Sequence, residues 1–260
     1  MKLPIYQIDA FTSSIFEGNP AAVIPLDEWI EGKLMQKIAM ENNLSETAFF
    51  VKKNDSYEIR WFTPQCEVDL CGHATLATSH LILYYLEPDK DQLTFHSKSG
   101  DLSIRKQDDR IAMHFPAEKG EPVSDYALLT EALGKKPVEV YASEDYMAVY
   151  ATEKDIRELH PDFRKLKELD RRGVIVTAPG RHHDFVSRFF APAVGIDEDP
   201  VTGSAHTMLV PYWAVRLGKN RLRAYQASSR GGSLCCTLKD DWVELSGNAR
   251  LYMQGEITTK

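Results

Sequence analysis

The sequence predicts an α+β fold in two similar halves, each a curled set of strands around one central helix. Three observations carry this prediction. Two stretches, HATLATSHLILYYL (73–86) and SAHTMLVPYWAVRL (204–217), have helical length and are apolar nearly all round, so each must be surrounded by protein and not laid on a surface. Short runs rich in β-branched and aromatic residues, punctuated by turn residues, precede and follow both. The segment leading into the first helix also resembles the segment leading into the second.

The elements follow in order. Residues 3–11 read as a strand, EGNP (17–20) as a turn and AAVI (21–24) as a short buried strand. Over 27–42, Ile30, Leu34 and Ile38 recur at helical spacing, and the helix should end at Asn42-Asn43. SETAFFV (45–51) is a strand, NDS (54–56) a hairpin turn, and YEIRWF (57–62) alternates Tyr57, Ile59 and Trp61 on one face. The first apolar helix comes next, then strands LTFHS, LSIRK and IAMHF. PAEKGEPVS (116–124) breaks the pattern and marks the domain boundary: 1–118, which the last C-terminal residues can also join, and 119–260. Beyond it, a helix over 124–133 is expected with Ser124 as cap and Gly134 as stop. VEVYA and YMAVYA read as strands, EKDIRELHPDF as helical, GVIVTAP and DFVSRFF as strands. The second apolar helix should kink at Pro211, and the tail (LRAYQA, SLCCTL, WVELSG, ARLYMQGEI) is strand-rich.

Composition bounds the function. The chain has 260 residues, 43% hydrophobic and 27% charged, a globular balance. Its net charge of −7 argues against a nucleic-acid partner. No apolar run approaches the roughly 20 residues of a spanning helix, and MKLPIYQIDAF lacks a signal-peptide core. The four cysteines, Cys66, Cys71, Cys235 and Cys236, form no CxxC pair. A reduced cytoplasmic setting is expected, and no His/Cys cluster has zinc-ligand spacing, so no metal is expected.

The repeat pairs IRWFTPQCEVDLCGHATLATSHLI (59–82) with VSRFFAPAVGIDEDPVTGSAHTML (186–209). Each half runs from an aromatic strand through Phe-x-Pro and an acidic loop into Gly-x-Ala and the apolar helix. Gly72-His73-Ala74 matches Gly203-Ser204-Ala205. In a pseudo-twofold arrangement both helix starts would face one cleft. Each start offers free N–H groups and about half a positive charge, so the cleft suits an anion, most simply a small carboxylate.

Several side chains could carry chemistry there. Glu46 precedes a mostly apolar strand and is either a surface residue at a strand start or a desolvated general acid/base. Asp199, in the acidic run 197–199, is held extended by Pro200. Ser204 is either an N-cap or a donor to a ligand; His73, at the matching position, is either a core histidine or a proton carrier. Cys71 sits where a helix start lowers a thiol pKa, or is inert. A serine or cysteine hydrolase would need a His–nucleophile pair that sequence alone does not supply. Specificity would fall to side chains near Asn19, Gln65 and Arg188.

EGNP, NLSETAF, LCGHATLA and EDPVTGSAH, in this order, resemble the PhzF family of phenazine-biosynthesis-like isomerases over nearly the whole chain. The resemblance implies the diaminopimelate-epimerase-like fold, with an active site between two similar domains, and a homodimer that uses no cofactor or metal. It puts the catalytic Glu on Glu46, the His on His73, the Asp on Asp199 and the Ser on Ser204. Asn19, Ser45, Cys71, Gly72, Thr202 and Gly203 are the expected substrate contacts. The related two-thiol epimerases carry a cysteine before each helix-start glycine. Here Cys71 matches the first and Thr202 stands at the second, so two-thiol racemisation is not expected. The expected activity is a cofactor-independent isomerisation or epimerisation of a small carboxylic acid. The alternative is a carboxylate-binding or regulatory protein that keeps the cleft without catalysis.

Overall fold

The computed structural model describes residues 1–259. They form two compact units, one from residues 1–114 with the stretch from Ser246 onward, the other from residues 115–245. In the first unit, β1 (Lys2–Ala10) runs antiparallel to β2 (Asn19–Leu26) and to the C-terminal β18 (Ala249–Thr258). The helix α1 (Gly32–Asn42) returns the chain so that β3 (Glu46–Lys53) lies parallel to β2. A turn with Asn54 at φ 54° then reverses it into β4 (Ser56–Phe62), antiparallel to β3. The short β5 (Glu67–Val68) pairs with the end of β4. Next, α2 (Gly72–Leu81) and a π turn (Ile82–Leu86) cross over to β6 (Gln92–Ser97), parallel to β4. An antiparallel meander of β7 (Gly100–Gln107) and β8 (Arg110–Pro116) completes the run.

The second unit repeats this path. After β9 (Glu121–Pro122) and α3 (Ala127–Leu133), β10 (Glu139–Ala142) is antiparallel to β11 (Tyr146–Val149). Two short helices, α4 (Glu153–Arg157) and α5 (Phe163–Leu166), bring β12 (Val174–Pro179) parallel to β11. β13 (Phe185–Ala191) is antiparallel to β12, and β14 (Ile196–Asp199) pairs back on β13. The helix α6 (Gly203–Leu217) then crosses over to β15 (Arg221–Gln226), parallel to β13. β16 (Gly232–Lys239) and β17 (Trp242–Gly247) follow. The sequence repeat is thus a repeat of topology: strand, hairpin strand, short strand, buried helix, parallel strand.

Burial explains the two apolar helices. Every residue of α2 from His73 to Leu81 is buried. α6 is buried along most of its length but emerges at its last turn, where Val215 is 83% exposed. The first unit packs Ile24, Met35, Phe49 and Phe62 in one cluster; the second packs Leu129, Ile156, Val176 and Phe190.

Three local expectations need correction. α1 starts at Gly32 and not at 27, because the preceding residues are committed elsewhere: Trp29 Nε1 donates to Glu58 Oε2 at 2.5 Å. α3 starts at Ala127 with Tyr126, not Ser124, at its N-cap; Val123 N–H still donates to Val140 C=O, so the chain is held on β10 until then. The helical stretch expected over 153–163 is two helices, interrupted around Pro161, which cannot donate a backbone hydrogen bond. α6 continues as one helix through Pro211. Among the described residues no helix is long and apolar enough to cross a membrane.

Candidate active site

Three pieces of local structure bring the first unit's polar cluster together. Asn43 closes α1 in the left-handed conformation (φ 50°), which turns the chain so that β3 opens on Glu46. Asn42 Nδ2 braces this corner by donating to Thr47 Oγ1 at 3.0 Å. Gly18, at φ 67°, ends the loop before β2; a Cβ there would lie 2.1 Å from the Ala10 carbonyl oxygen, so glycine is required. Asp9 Oδ2 accepts from Phe16 N–H at 2.9 Å in the same loop, and the next strand begins at Asn19. Cys71 is the N-cap of α2 and makes no side-chain cap bond, while Gly72 and His73 are the first two helical residues. The first N–H groups of α2 are therefore left without a capping side chain.

His73 is the hub of this cluster. Its Nε2 lies 3.2 Å from Glu46 Oε2, in an ion-pair contact that is not aligned as a hydrogen bond. Its Nδ1 lies 3.2 Å from Asn19 Nδ2 and 3.5 Å from Cys71 Sγ. The Glu46 side chain is 12% exposed and that of His73 5%. Burial opposes a charge on His73, but the Cys71 sulfur and the Glu46 carboxylate favour it, and the net effect holds its pKa above the ordinary imidazole value. A neutral ring accepts from Asn19 Nδ2 at Nδ1; a charged ring donates from Nδ1, and the Asn19 amide must then turn to present its oxygen.

The sequence left Cys71 open between an activated thiol and an inert one. Burial, and then the Glu46 carboxylate, push its pKa up to about 11. Desolvation outweighs the helix start, and Cys71 is a neutral thiol at pH 7. Ser45 lies half-buried just ahead of Glu46.

The second unit holds a different set at the matching helix start. Thr202 is the N-cap of α6, and Gly203 and Ser204 are its first two residues, so Ser204 is not the cap. Thr202 Oγ1 donates to Asp199 Oδ2, and Asp199 is 7% exposed. Gln226 locks the turn: its Oε1 accepts from Thr202 N–H at 2.8 Å, and its Nε2 donates to the Asp199 carbonyl at 2.8 Å and to Thr202 Oγ1 at 3.1 Å. His206 Nδ1 donates to the Thr202 carbonyl at 2.8 Å, and burial lowers its pKa to about 4, so it stays neutral. The acidic run divides by environment. Glu198 forms a bidentate pair with Arg188 (2.7 and 3.0 Å), while Asp197 is exposed.

Arg172 and Asp145 escaped the sequence reading. Arg172 donates to both Asp145 oxygens, at 3.1 and 2.5 Å, and to Ser204 Oγ at 3.1 Å. Because Ser204 Oγ accepts from a guanidinium, its own hydrogen is left to donate elsewhere. Nothing in the sequence links residues 145, 172 and 204; only the strand pairing does. Arg188, expected among the specificity side chains, is instead committed to Glu198 and to the carbonyls of Ile156 and Leu159, at 2.9 and 3.0 Å.

These two clusters meet a known family. A family model described as phenazine biosynthesis-like protein matches residues 8–258. The chain belongs to this family. An uncharacterised isomerase of Pseudomonas aeruginosa is 53% identical over 257 residues, covering 99% of either chain. A crystal structure of a PhzF-family protein from Enterococcus faecalis matches with a TM-score of 0.97 at 46% identity, covering 100% of both chains. A hydroxyproline epimerase from Agrobacterium vitis, with bound trans-4-hydroxy-L-proline, matches with a TM-score of 0.63 at 9% identity, covering 98% of this chain and 92% of that one. That last likeness is one of fold alone. The fold is accordingly diaminopimelate-epimerase-like, and the chain is an isomerase of the phenazine biosynthesis-like family.

Proposed function

We propose that the chain is a cofactor-independent isomerase or epimerase of a small carboxylic acid, with Glu46 as the group that moves the proton. The observation that carries this reading is the contact of a largely desolvated Glu46 carboxylate with His73 Nε2 at 3.2 Å, beside the uncapped start of α2. Glu46 takes a proton from a substrate carbon and returns it to another carbon, or to the other face of the same one. His73, its pKa raised against burial by Cys71 and then by Glu46, donates toward charge that develops on the substrate. The free N–H groups at Gly72 and Gly203 hold the substrate carboxylate. Ser204, fixed by Arg172, donates its hydroxyl hydrogen to the same anion, and Asp199, locked by Thr202 and Gln226, fixes the substrate's other polar group. Asn19, Ser45, Cys71 and Thr202 line the remainder. The protein works as a cytoplasmic homodimer.

The test is a screen of metabolite extract and of small carboxylic acids in deuterated buffer, read by mass spectrometry and NMR. The expected result is an acid that gains deuterium at carbon and converts to an isomer. A substrate that isomerises without incorporating any solvent deuterium, while its migrating hydrogen stays with the molecule, would overturn proton transfer through a solvent-exchangeable carboxyl.

A further inference from the structure

We propose that Cys71, His73 and Glu46 form a binding site for a thiophilic divalent cation, Zn2+ foremost, which closes the site when it binds. One sulfur, one imidazole nitrogen and one carboxylate oxygen from these residues all lie within 4.8 Å of one another. They are a soft, a borderline and a hard donor in the combination that zinc accepts. Zn–S and Zn–N bonds of about 2.3 and 2.0–2.1 Å at a tetrahedral angle put sulfur and nitrogen about 3.5 Å apart. Cys71 Sγ and His73 Nδ1 stand at 3.5 Å without any ion. The carboxylate completes the set by rotation of the Glu46 side chain, whose 12% exposure leaves the ion an approach.

Two further features favour an ion. The Glu46 side chain is only 12% exposed, yet its Oε2 has no aligned hydrogen bond and so retains unused ligand capacity. Charge also balances. On binding, the Cys71 thiol proton leaves to solvent as the Zn–S bond forms, and the cationic His73 ring loses its Nδ1 proton to solvent as the Zn–N bond forms. One thiolate and one carboxylate then neutralise the 2+ ion around a neutral imidazole, avoiding a buried net charge. No sequence motif announces this set, because Glu46 arrives from a different strand. A bound ion occupies the donor atoms of Glu46 and His73, so it stops turnover. That consequence rests on the proposed proton transfer; the binding itself does not.

The probe is Zn2+ alone, titrated into the reduced full-length chain against a chromophoric chelator. The expected result is one tight equivalent per chain, weakened at least about tenfold by Cys71→Ser and by His73→Gln. Cys235→Ser, which removes a thiol from the neighbouring Cys235-Cys236 pair, leaves that equivalent unchanged. Co2+ should give the same Cys235→Ser protein a thiolate-to-cobalt charge-transfer band, a readout that needs no altered Cys71. Absence of a stoichiometric site, a site lost with Cys235→Ser, or affinity untouched by Cys71→Ser would each overturn the proposal. Tight binding without loss of isomerisation would preserve the site and count against Glu46 as the proton carrier.

Discussion

Glu46→Gln keeps the shape of a side chain and removes its charge, and two consequences follow from its 3.2 Å separation from His73. The first concerns rate. General acid–base catalysis contributes about 10²–10⁴-fold, so kcat/KM should fall by at least about 10²-fold, or about 2.7 kcal/mol of barrier. The second concerns His73 itself. Burial lowers its pKa, while Cys71 and Glu46 raise it. With its own pKa pushed up to about 11, Cys71 carries no charge near neutral pH, which leaves Glu46 as the charge that sustains the elevation. Without it, burial prevails, and the His73 pKa should drop from above to below the ordinary value of about 6.5. The sign of the stability linkage reverses with it. In the parent, the stabilisation from His73 is fully present below about pH 6.5 and is lost as pH rises through its higher folded pKa. In the variant, His73 instead destabilises the fold as pH falls below about 6.5. An NMR titration of the His73 ring, alongside deuterium incorporation into substrate, reads both consequences. Turnover within about tenfold of the parent would refute the catalytic assignment, and an unmoved His73 pKa would refute the electrostatic one.

Two further outcomes follow from the second unit and from the buried histidines. Arg172→Met should leave Asp145, 4% exposed, as a buried unpaired carboxylate, lowering stability by about 3–5 kcal/mol in urea denaturation. Adding Asp145→Leu should restore most of that loss while leaving KM raised, because Ser204 still lacks its orienting donor; full recovery of KM would refute the orienting role. His80 and His206 both have pKa values lowered by burial to about 4. The unfolded chain therefore binds more protons than the folded one between about pH 6.5 and 4, and stability should fall across that window by about 3 kcal/mol for each group. His206→Asn should shallow the acid limb of the thermal melting curve against pH; an unchanged limb would contradict a neutral buried His206.

The sequence made the helices and their surroundings legible because burial leaves a direct imprint on composition. HATLATSHLILYYL and SAHTMLVPYWAVRL admit almost no charge, and α2 is buried from His73 to Leu81 and α6 along most of its length. The conjunction of Glu46 with His73 was legible only through the resemblance to a family, since 27 residues of chain separate them and no periodicity joins a strand start to a helix start. The protonation state of Cys71 stayed open in the sequence because position at a helix start is visible there, whereas the desolvation that outweighs it comes from packing. Arg172 was invisible for a related reason. An arginine in the run RRG looks like solvated charge until Asp145 and Ser204 are brought to it.

The strand registers explain why the two helix starts carry different chemistry. Phe62 and Phe190 are equivalent in the repeat; Phe62 lies opposite Thr47, and Phe190 opposite Val174. Counting back one residue, the counterpart of Glu46 is Gly173. A Cβ at Gly173 would lie 2.5 Å from the Phe189 ring, so the second unit has no room for an acid there. Its charged group comes one residue earlier, from Arg172, which reaches Ser204 just as Glu46 reaches His73, the residue equivalent to Ser204. The parallel pairings carry the match further. Ala21 lies opposite Glu46 and Tyr146 opposite Val174, which makes Asp145, the partner of Arg172, the counterpart of Ala21, two residues from Asn19. Each unit thus frames its helix start with the beginnings of two parallel strands. One frame brings an acid to an imidazole, an arrangement suited to moving a proton. The other brings a guanidinium to a hydroxyl, an arrangement suited to holding an anion still. The frame occurs twice, and the crowding at Gly173 keeps from the second copy the acid that the first copy carries.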